Sequence, residues 1–242
     1  MEKSVSEVIS YRRSVRLYQK INIDDDKVEN CIKNASIAPT SSNLQLWEFY
    51  QITSSKKLEE ISTACFNQPA ARTANRFVVF VARKDLWRKR AKSNLDFLNQ
   101  SFDKPDIGQR LLKRKKQVNT YYTKLIPGLY VDFLGLFGLI KYASCHLIGL
   151  FRPIYRQTRK SDMRIVAHKS CALAAQNFMI SMAAIGYDTC PMEGFDSKRV
   201  KQILDLPNSA EVTMVVSCGI RESSGVYGTQ FRVPFDEVYY RV

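Results

Sequence analysis

The chain has 242 residues, of which 45% are hydrophobic, so it suits one large domain with a substantial core rather than a disordered segment. Its net charge of +14 is uneven, because residues 83–164 hold 19 Lys and Arg against 6 Asp and Glu, whereas the rest of the chain holds 18 against 17. Six scattered cysteines without a Cys-x-x-Cys pair, and only two histidines, argue against a zinc site.

The N-terminal region predicts two helices. Met1–Ser10 is polar and carries no secretion signal, so we expect a reducing, cytoplasmic location. Apolar residues at helical spacing predict a first helix over Ser4–Tyr11. A second helix is predicted to run from a cap at Asn22 or Asp24 to about Ser36.

Strand and helix then alternate. Trp47–Thr53 and Phe77–Ala82 are short runs of apolar, aromatic and β-branched residues, which predicts strands. Between them, a helix capped by Ser54 or Ser55 is predicted to end near Cys65.

A basic insertion follows over residues 83–164. Leu86–Phe102 and Ile107–Tyr122 have the pattern of basic amphipathic helices, Leu125–Phe151 is mostly apolar, and Arg152–Arg164 is basic again. We therefore divide the chain into a single domain over residues 1–242 that contains this helical insertion.

The last third predicts helix, helix and strand. Ser170–Ile185 is rich in small residues, which allow close helix packing, including across a dimer seam, and Gly186 ends the helix. A further helix is capped by Asp196 or Ser197, and the pattern of Glu211–Ser217 predicts a strand. Because helices and strands are interspersed, the predicted fold class is α+β.

Four segments have residue types suited to binding a ligand. Residues 12–16 place three arginines and a serine within five positions, a cluster suited to phosphate, although Arg12 and Arg13 also suit the C-terminus of a helix. The others are Ala38–Trp47, Gly186–Phe195 and Phe231–Phe235. In this order the four segments resemble the FMN-dependent nitroreductase family. The resemblance covers about residues 4–82 and 165–240.

The resemblance implies a fold, an activity and partners. The implied nitroreductase-like fold is α+β, with a central, mostly antiparallel sheet flanked by helices, in an intertwined homodimer that holds FMN at the subunit interface. The implied enzyme uses NAD(P)H to reduce nitroaromatics, quinones or a similar small-molecule acceptor in a ping-pong order. The chemistry belongs to the flavin, so no catalytic side chain is expected. The sequence shows no Gly-x-Gly-x-x-Gly after a strand, so no separate Rossmann nicotinamide site is expected.

The resemblance also implies the residues around the phosphate and sugar. Phosphate and ribityl contacts are implied for Arg12, Arg13 and Ser14, and Arg16 matches a basic position near the pyrimidine edge of the ring. Arg232 matches an arginine that returns to the phosphate, and Gln230 stands where a basic residue is common.

The remaining implied residues surround the flavin ring. They are Pro39, Thr40, Ser41 and Asn43 from a second subunit, Asn67 at the pyrimidine edge, and Pro191, Met192, Glu193 and Gly194 beside the ring. The backbone N–H groups of Glu193 and Gly194 are implied near flavin N5 and O4, and the Glu193 side chain is implied as a pocket wall. Ala70 departs from the family, which often has a basic residue there.

Three interpretations of the insertion are open. In the first, the insertion covers the flavin pocket or packs on the dimer partner. In the second, its apolar stretch, which basic residues bracket, lies on an anionic membrane surface. In the third, its positive charge binds nucleic acid. We expect no nucleic-acid partner, because no zinc-finger or RNA-recognition signature is present. A membrane span is not expected, since Asp132 and Lys141 interrupt the stretch and a span would separate Arg12 from Glu193.

Two further hypotheses concern a histidine and the alternative function. His168 is expected at a helix terminus or in the core rather than as a catalytic base. The alternative function is a membrane-surface-associated or anion-binding flavoprotein scaffold with little general nitroreductase activity.

Overall fold

A computed structural model describes residues 4–102, 108–131 and 136–242. Its helices are α1 (Val5–Tyr11), α2 (Asp25–Ser36), α3 (Ser55–Ala64), α4 (Pro69–Arg72), α5 (Trp87–Gln100), α6 (Gln109–Thr120), α7 (Ile126–Tyr130), α8 (Leu136–Ile148), α9 (Lys160–Ala184) and α10 (Ser197–Ile203). Its strands are β1 (Trp47–Ile52), β2 (Arg76–Ala82), β3 (Asp188–Met192) and β4 (Glu211–Gly219).

The four strands form one sheet in the order β1-β2-β4-β3, and each neighbouring pair is antiparallel. β2 and β4 are central, and β3 lies at an edge. Successive side chains of β2 point to opposite faces, and both faces are buried, which explains its continuous apolar run. The predicted α+β class with an antiparallel sheet is therefore confirmed.

The two faces of the sheet carry separate cores. Phe80 and Val216 face a core shared with α2 and α9, where the Phe80 and Phe178 ring centroids are 5.6 Å apart. Phe77 and Val215 face the other core, which is shared with α3, α4 and α10. Helices thus cover both faces of the sheet, and β3 lies at its edge.

The predicted starts of α1, α2, α3 and α10 are confirmed by their N-terminal caps. Ser4 forms a reciprocal capping box with Glu7, which satisfies free N–H groups in the first turn of α1. Asp24, Ser54 and Asp196 accept hydrogen bonds from the first turns of α2, α3 and α10, respectively.

Two predictions in the C-terminal third need correction. The helix predicted over Ser170–Ile185 begins at Lys160, because Asp162 caps the backbone N–H of Arg159 at 2.9 Å and lets the helix start within the basic segment. His168 consequently lies inside α9, not at a helix terminus. β3 had no strand prediction, since it is short and contains Pro191, which an edge strand tolerates.

Two helices of the insertion, α5 and α7, pack onto the main body. Ile126 is fully buried against α5 and α9, beside Trp87 and Tyr130, whose rings stack at 5.7 Å. A π-helical turn joins α6 to α7, so the helix predicted over Ile107–Tyr122 continues beyond its expected end. Ile107 and Asp132 lie outside the described residues. Among the described helices, none combines the length and apolar character needed to cross a membrane.

Candidate functional site

The segment that follows α1 lies along the outer edge of β3. Ser14 forms a parallel bridge with Thr189, and the backbone N–H of Val15 donates to the Thr189 carbonyl at 3.1 Å. Val15 is fully buried. Because alternate residues of an extended chain point to opposite sides, Ser14 and Arg16 lie on the accessible side of this segment.

Tyr18 locks the segment against the sheet. Its hydroxyl donates to the Ser217 carbonyl at 3.1 Å and lies 2.9 Å from the Ser217 hydroxyl, and the side chain is 1% exposed. Burial raises the pKa of Tyr18 well above its ordinary value, so the phenol stays protonated and keeps donating. The backbone N–H of Arg16 also donates to the Gly225 carbonyl at 2.6 Å. These contacts hold the arginine cluster in one position.

A buried ion pair ties α1 to the sheet. The backbone N–H and Nε of Arg221 each donate to an Asp188 carboxylate oxygen at 2.8 Å, and Nη2 donates to the Tyr11 carbonyl at 3.2 Å. Burial opposes the charge of Arg221, but the bonds to Asp188 outweigh burial and raise the pKa of Arg221. The guanidinium also lies over the Tyr11 ring, 4.2 Å from its centroid.

The arginine cluster lines a cavity of about 280 Å³. The structure brings together six of the residues implied by the resemblance, from both ends of the chain: Arg12, Arg13, Ser14, Arg16, Gln230 and Arg232. Nη2 of Arg13 donates to the Gly228 carbonyl at 3.1 Å, which fixes one wall of the cavity. No Asp or Glu is among the described residues that line it.

The electrostatics of this cavity favour an anion. The pKa of Arg12 is lowered by its burial, then by the positive charge of Arg232 and, more weakly, by that of Arg13. A half-buried cation among like charges is costly unless an opposite charge compensates it. A phosphate supplies that charge and accepts several N–H bonds, so the donor set fits a phosphate monoester.

Beyond the cavity, the edge of β3 leads to an open backbone. β3 ends at Met192, and Glu193 and Gly194 are exposed. A Cβ added at Gly194 would meet no atom of the described residues within 4 Å. Thr189 and Gly194 are about 17 Å apart along an extended chain, so this edge suits an elongated ligand with its phosphate at one end and a flat group at the other.

A tight turn lies beside this open backbone. Nε2 of Gln68 donates to the Gly194 carbonyl at 3.0 Å. The adjacent Asn67 has a φ of 49°, and its amide oxygen accepts from the Ser62 hydroxyl at 3.2 Å. The structure thus places Asn67 next to a residue in contact with Gly194.

The Pro39–Asn43 loop does not line the arginine cavity of its own protomer. It borders a separate cavity of about 330 Å³ with Lys169, Ser170 and Leu173 of α9. Ser42, Asn43 and Gln45 have φ values near +50°, an uncommon conformation for residues other than glycine that tends to mark functional loops.

A polar cluster that the sequence did not predict lies near Glu193. Nδ1 of His168 is 3.0 Å from the Thr213 hydroxyl, and Nε2 is 3.2 Å from a Glu211 carboxylate oxygen. Burial raises the pKa of Glu211, but hydrogen bonds from His168 and Arg164 outweigh it and leave that pKa lowered. His168 and Glu193 line one cavity of about 410 Å³. His168 lies on α9, and Glu211 and Thr213 lie on β4, 43 and 45 positions later in the sequence. No local sequence pattern could therefore have revealed the cluster.

Comparisons with known proteins identify the family of this chain. The family model described as "Nitroreductase family" matches residues 9–220. The 4-nitrobenzoate reductase of Pseudomonas putida is 24% identical over 231 residues, which are 94% of this chain and 89% of that protein.

Solved structures share the architecture. A nitroreductase-like protein from Streptococcus mutans has a TM-score of 0.71 at 18% identity, covering 99% of this chain and 100% of the other. The NADPH:FMN oxidoreductase from Vibrio harveyi, complexed with NAD+, has a TM-score of 0.63 at 18% identity, covering 98% and 76%, respectively. The nitroreductase-like fold implied by the four segments is therefore confirmed.

Proposed function

The chain belongs to the nitroreductase family, and we propose that it is an FMN-dependent oxidoreductase that uses NAD(P)H to reduce a conjugated acceptor such as a nitroaromatic or a quinone. The observation that carries the proposal is the cavity lined by four arginines and, within the described residues, by no carboxylate, which lies on the same β3 edge as the open backbone at Gly194. The names of two similar proteins, a 4-nitrobenzoate reductase and an NADPH:FMN oxidoreductase, support this choice of acceptor and cofactor.

The arginine cavity holds the phosphate end of FMN in this proposal. Arg12, Arg13 and Arg232 supply positive charge and N–H donors, and the exposed Ser14 supplies a hydroxyl for the phosphate or the ribityl chain. The cavity fits because it pairs its uncompensated charge with a dianion. The bound phosphate therefore relieves the repulsion among Arg12, Arg13 and Arg232, and this relief contributes to the binding free energy.

The edge of β3 beyond the cavity holds the ring. Gly194 has no side chain to obstruct a flat group, and its N–H and that of Glu193 are available as donors. Burial raises the pKa of the Cys190 thiol, and the positive charge of Arg16 partly opposes this rise, so Arg16 lies near the middle of β3. In this proposal its cation stabilises negative charge on the pyrimidine edge of the ring. Asn67 donates its amide N–H to the same edge, since Ser62 already occupies its amide oxygen.

When bound, FMN supplies the hydride chemistry, and the chain supplies binding, orientation and charge. Glu193 is a wall of the acceptor cavity that also contains His168 and Met214. Substrates would enter this cavity in turn, with the oxidised nucleotide NAD(P)+ departing before the acceptor binds, which is a ping-pong order.

We assign the active unit as an intertwined homodimer. The Pro39–Asn43 loop lies outside the arginine cavity of its own protomer, which suits a loop that completes the site of a second copy. Leu173 on α9 and Phe231, Phe235 and Tyr240 near the C-terminus are exposed apolar side chains, which a second copy would cover.

The test is the visible absorption spectrum of the purified protein, followed by anaerobic addition of NADPH or NADH. We expect a flavin spectrum that bleaches on reduction. A folded protein that is colourless and cannot be reconstituted with FMN would refute the cofactor assignment. A bound flavin that neither nucleotide bleaches would refute the assigned electron donor while leaving the FMN site intact.

A further inference from the structure

Helix α8 presents apolar side chains to solvent. Leu139, Ile140 and Leu147 are 59%, 54% and 64% exposed, and Leu150 and Phe151 in the turn after the helix are 75% and 84% exposed. At about 100° per residue, Ile140, Leu147 and Ile148 lie about 100°, 80° and 180° around the helix from Leu139, so the four positions span one half of its circumference. We call this surface the α8 apolar face, and it consists of Leu139, Ile140, Leu147, Ile148, Leu150 and Phe151.

Polar contacts on other sides of the helix fix this orientation. Nζ of Lys141 donates to the carbonyls of Gly128, Leu129 and Val131 at 3.0, 3.2 and 2.8 Å, which satisfies the C-terminal end of α7. The ring of Tyr142 lies 3.6 Å from the guanidinium of Arg159. Lys141, Tyr142 and His146 are therefore on the half-buried side of α8, whereas Ser144 is exposed beside the apolar side chains.

Basic residues without acidic neighbours in sequence follow the α8 apolar face. Residues 136–161 contain five Lys and Arg and no Asp or Glu. Arg152 directly follows Phe151, and Nη2 of Arg156 donates to the Gly149 carbonyl at 2.7 Å, beside the end of α8.

The positive charge near the α8 apolar face indicates which kind of partner covers it. A second copy that met this face with its own insertion would bring together two insertions that each carry 19 Lys and Arg against 6 Asp and Glu. A nucleic acid would match the charge but would leave six apolar side chains without apolar partners. An anionic lipid surface matches both properties, because it offers phosphates to the arginines and an acyl boundary to the apolar side chains.

We propose that the α8 apolar face docks the protein on the surface of a membrane that contains anionic lipid. The helix lies in the plane of the headgroups, with Leu147 and Phe151 at the acyl boundary and Arg152 and Arg156 at the lipid phosphates. This docking surface is separate from the arginine cavity, because none of its residues lines that cavity.

Vesicle cosedimentation of the full chain tests the docking surface. We expect binding to vesicles of phosphatidylcholine with phosphatidylglycerol, weaker binding to phosphatidylcholine alone, and a loss of binding as salt is raised. Phe151→Glu should reduce the partition coefficient by about tenfold or more, because a phenyl group that enters the acyl boundary on binding is replaced by a charge. Arg152→Glu should reduce binding to the anionic vesicles and flatten the salt dependence.

Phe97→Glu is the matched control, because Phe97 on α5 is also exposed, at 72%, and lies outside the α8 apolar face. Equal losses for Phe97→Glu and Phe151→Glu, or no binding of the wild-type chain to either vesicle, would overturn the proposal. A Phe151→Glu variant that binds lipid normally but changes the oligomeric state in light scattering would assign the face to a second copy instead. Flavin content measured on the same preparations keeps this outcome separate from that of the proposed function.

Discussion

Replacing Arg12 with Met separates a ligand-binding role from a structural role. The backbone N–H of Arg12 still donates to the Val8 carbonyl in the variant, and a methionine keeps most of the apolar stem of the side chain. Within the described part of the chain, the Arg12 guanidinium has no hydrogen-bond partner in the protein. The substitution therefore removes a charge and leaves no polar group newly unsatisfied.

The structure predicts opposite effects on binding and on stability. A charge-assisted hydrogen bond contributes about 1.5–3 kcal/mol, so the Kd for FMN should rise by roughly 10- to 150-fold. Without ligand, the guanidinium is half buried and repelled by Arg232 and Arg13, which lowers its pKa. The free energy of unfolding of the apoprotein should therefore change by less than about 0.5 kcal/mol or increase.

The assay is FMN fluorescence quenching titrated with apoprotein, paired with urea unfolding of the same apoprotein. Arg241→Met is the control, because Arg241 is exposed and lies outside the arginine cavity. An unchanged Kd in Arg12→Met, or an apoprotein destabilised by more than about 1.5 kcal/mol, would show that Arg12 serves the fold and would refute the reasoning.

Three other substitutions test separate parts of the structure. Arg221→Met leaves the buried carboxylate of Asp188 without its cation, so the free energy of unfolding should fall by about 3–5 kcal/mol in urea denaturation, whereas the exposed arginine control should change little. Gly194→Val should leave apoprotein unfolding unchanged, since the added Cβ meets nothing within 4 Å, but should weaken FMN at least about tenfold in the same quenching titration. Glu211→Gln should be less stable than wild type at pH 7 by under about 1 kcal/mol. Because the pKa of Glu211 in the folded protein lies below its ordinary 4.5, this difference in stability should be full above pH 4.5 and should disappear as the pH falls through the folded pKa. A difference that does not change with pH would contradict the pairing of Glu211 with His168 and Arg164.

Local chemistry explains how much of the fold could be predicted. Ser4, Asp24, Ser54 and Asp196 each satisfy N–H groups two or three residues away, so their helix starts follow from short sequence windows. The apolar run of β2 likewise identifies a strand buried on both faces. β3 was missed because a strand of five residues with an internal proline carries little local signal.

The composition of the candidate site could also be predicted in part. Three arginines within five residues indicate an anion site by their residue types and spacing alone. The sequence could not show that Arg232, more than two hundred positions later, enters the same cavity, or that the Pro39–Asn43 loop lies elsewhere in its own protomer. Both facts depend on contacts between distant parts of the chain.

The sequence by itself therefore determined the helix caps, the buried strands, the concentration of charge in the insertion and the residue types of an anion site. Only the tertiary structure decided where these parts meet and which way they face. Tyr18 and Arg221 set the position of the arginine cluster through contacts with Ser217 and Asp188, and Lys141 turns the apolar side of α8 to solvent. The physical reason is range: caps and periodicity act within a few residues, whereas orientation is set by hydrogen bonds and packing between segments distant in sequence.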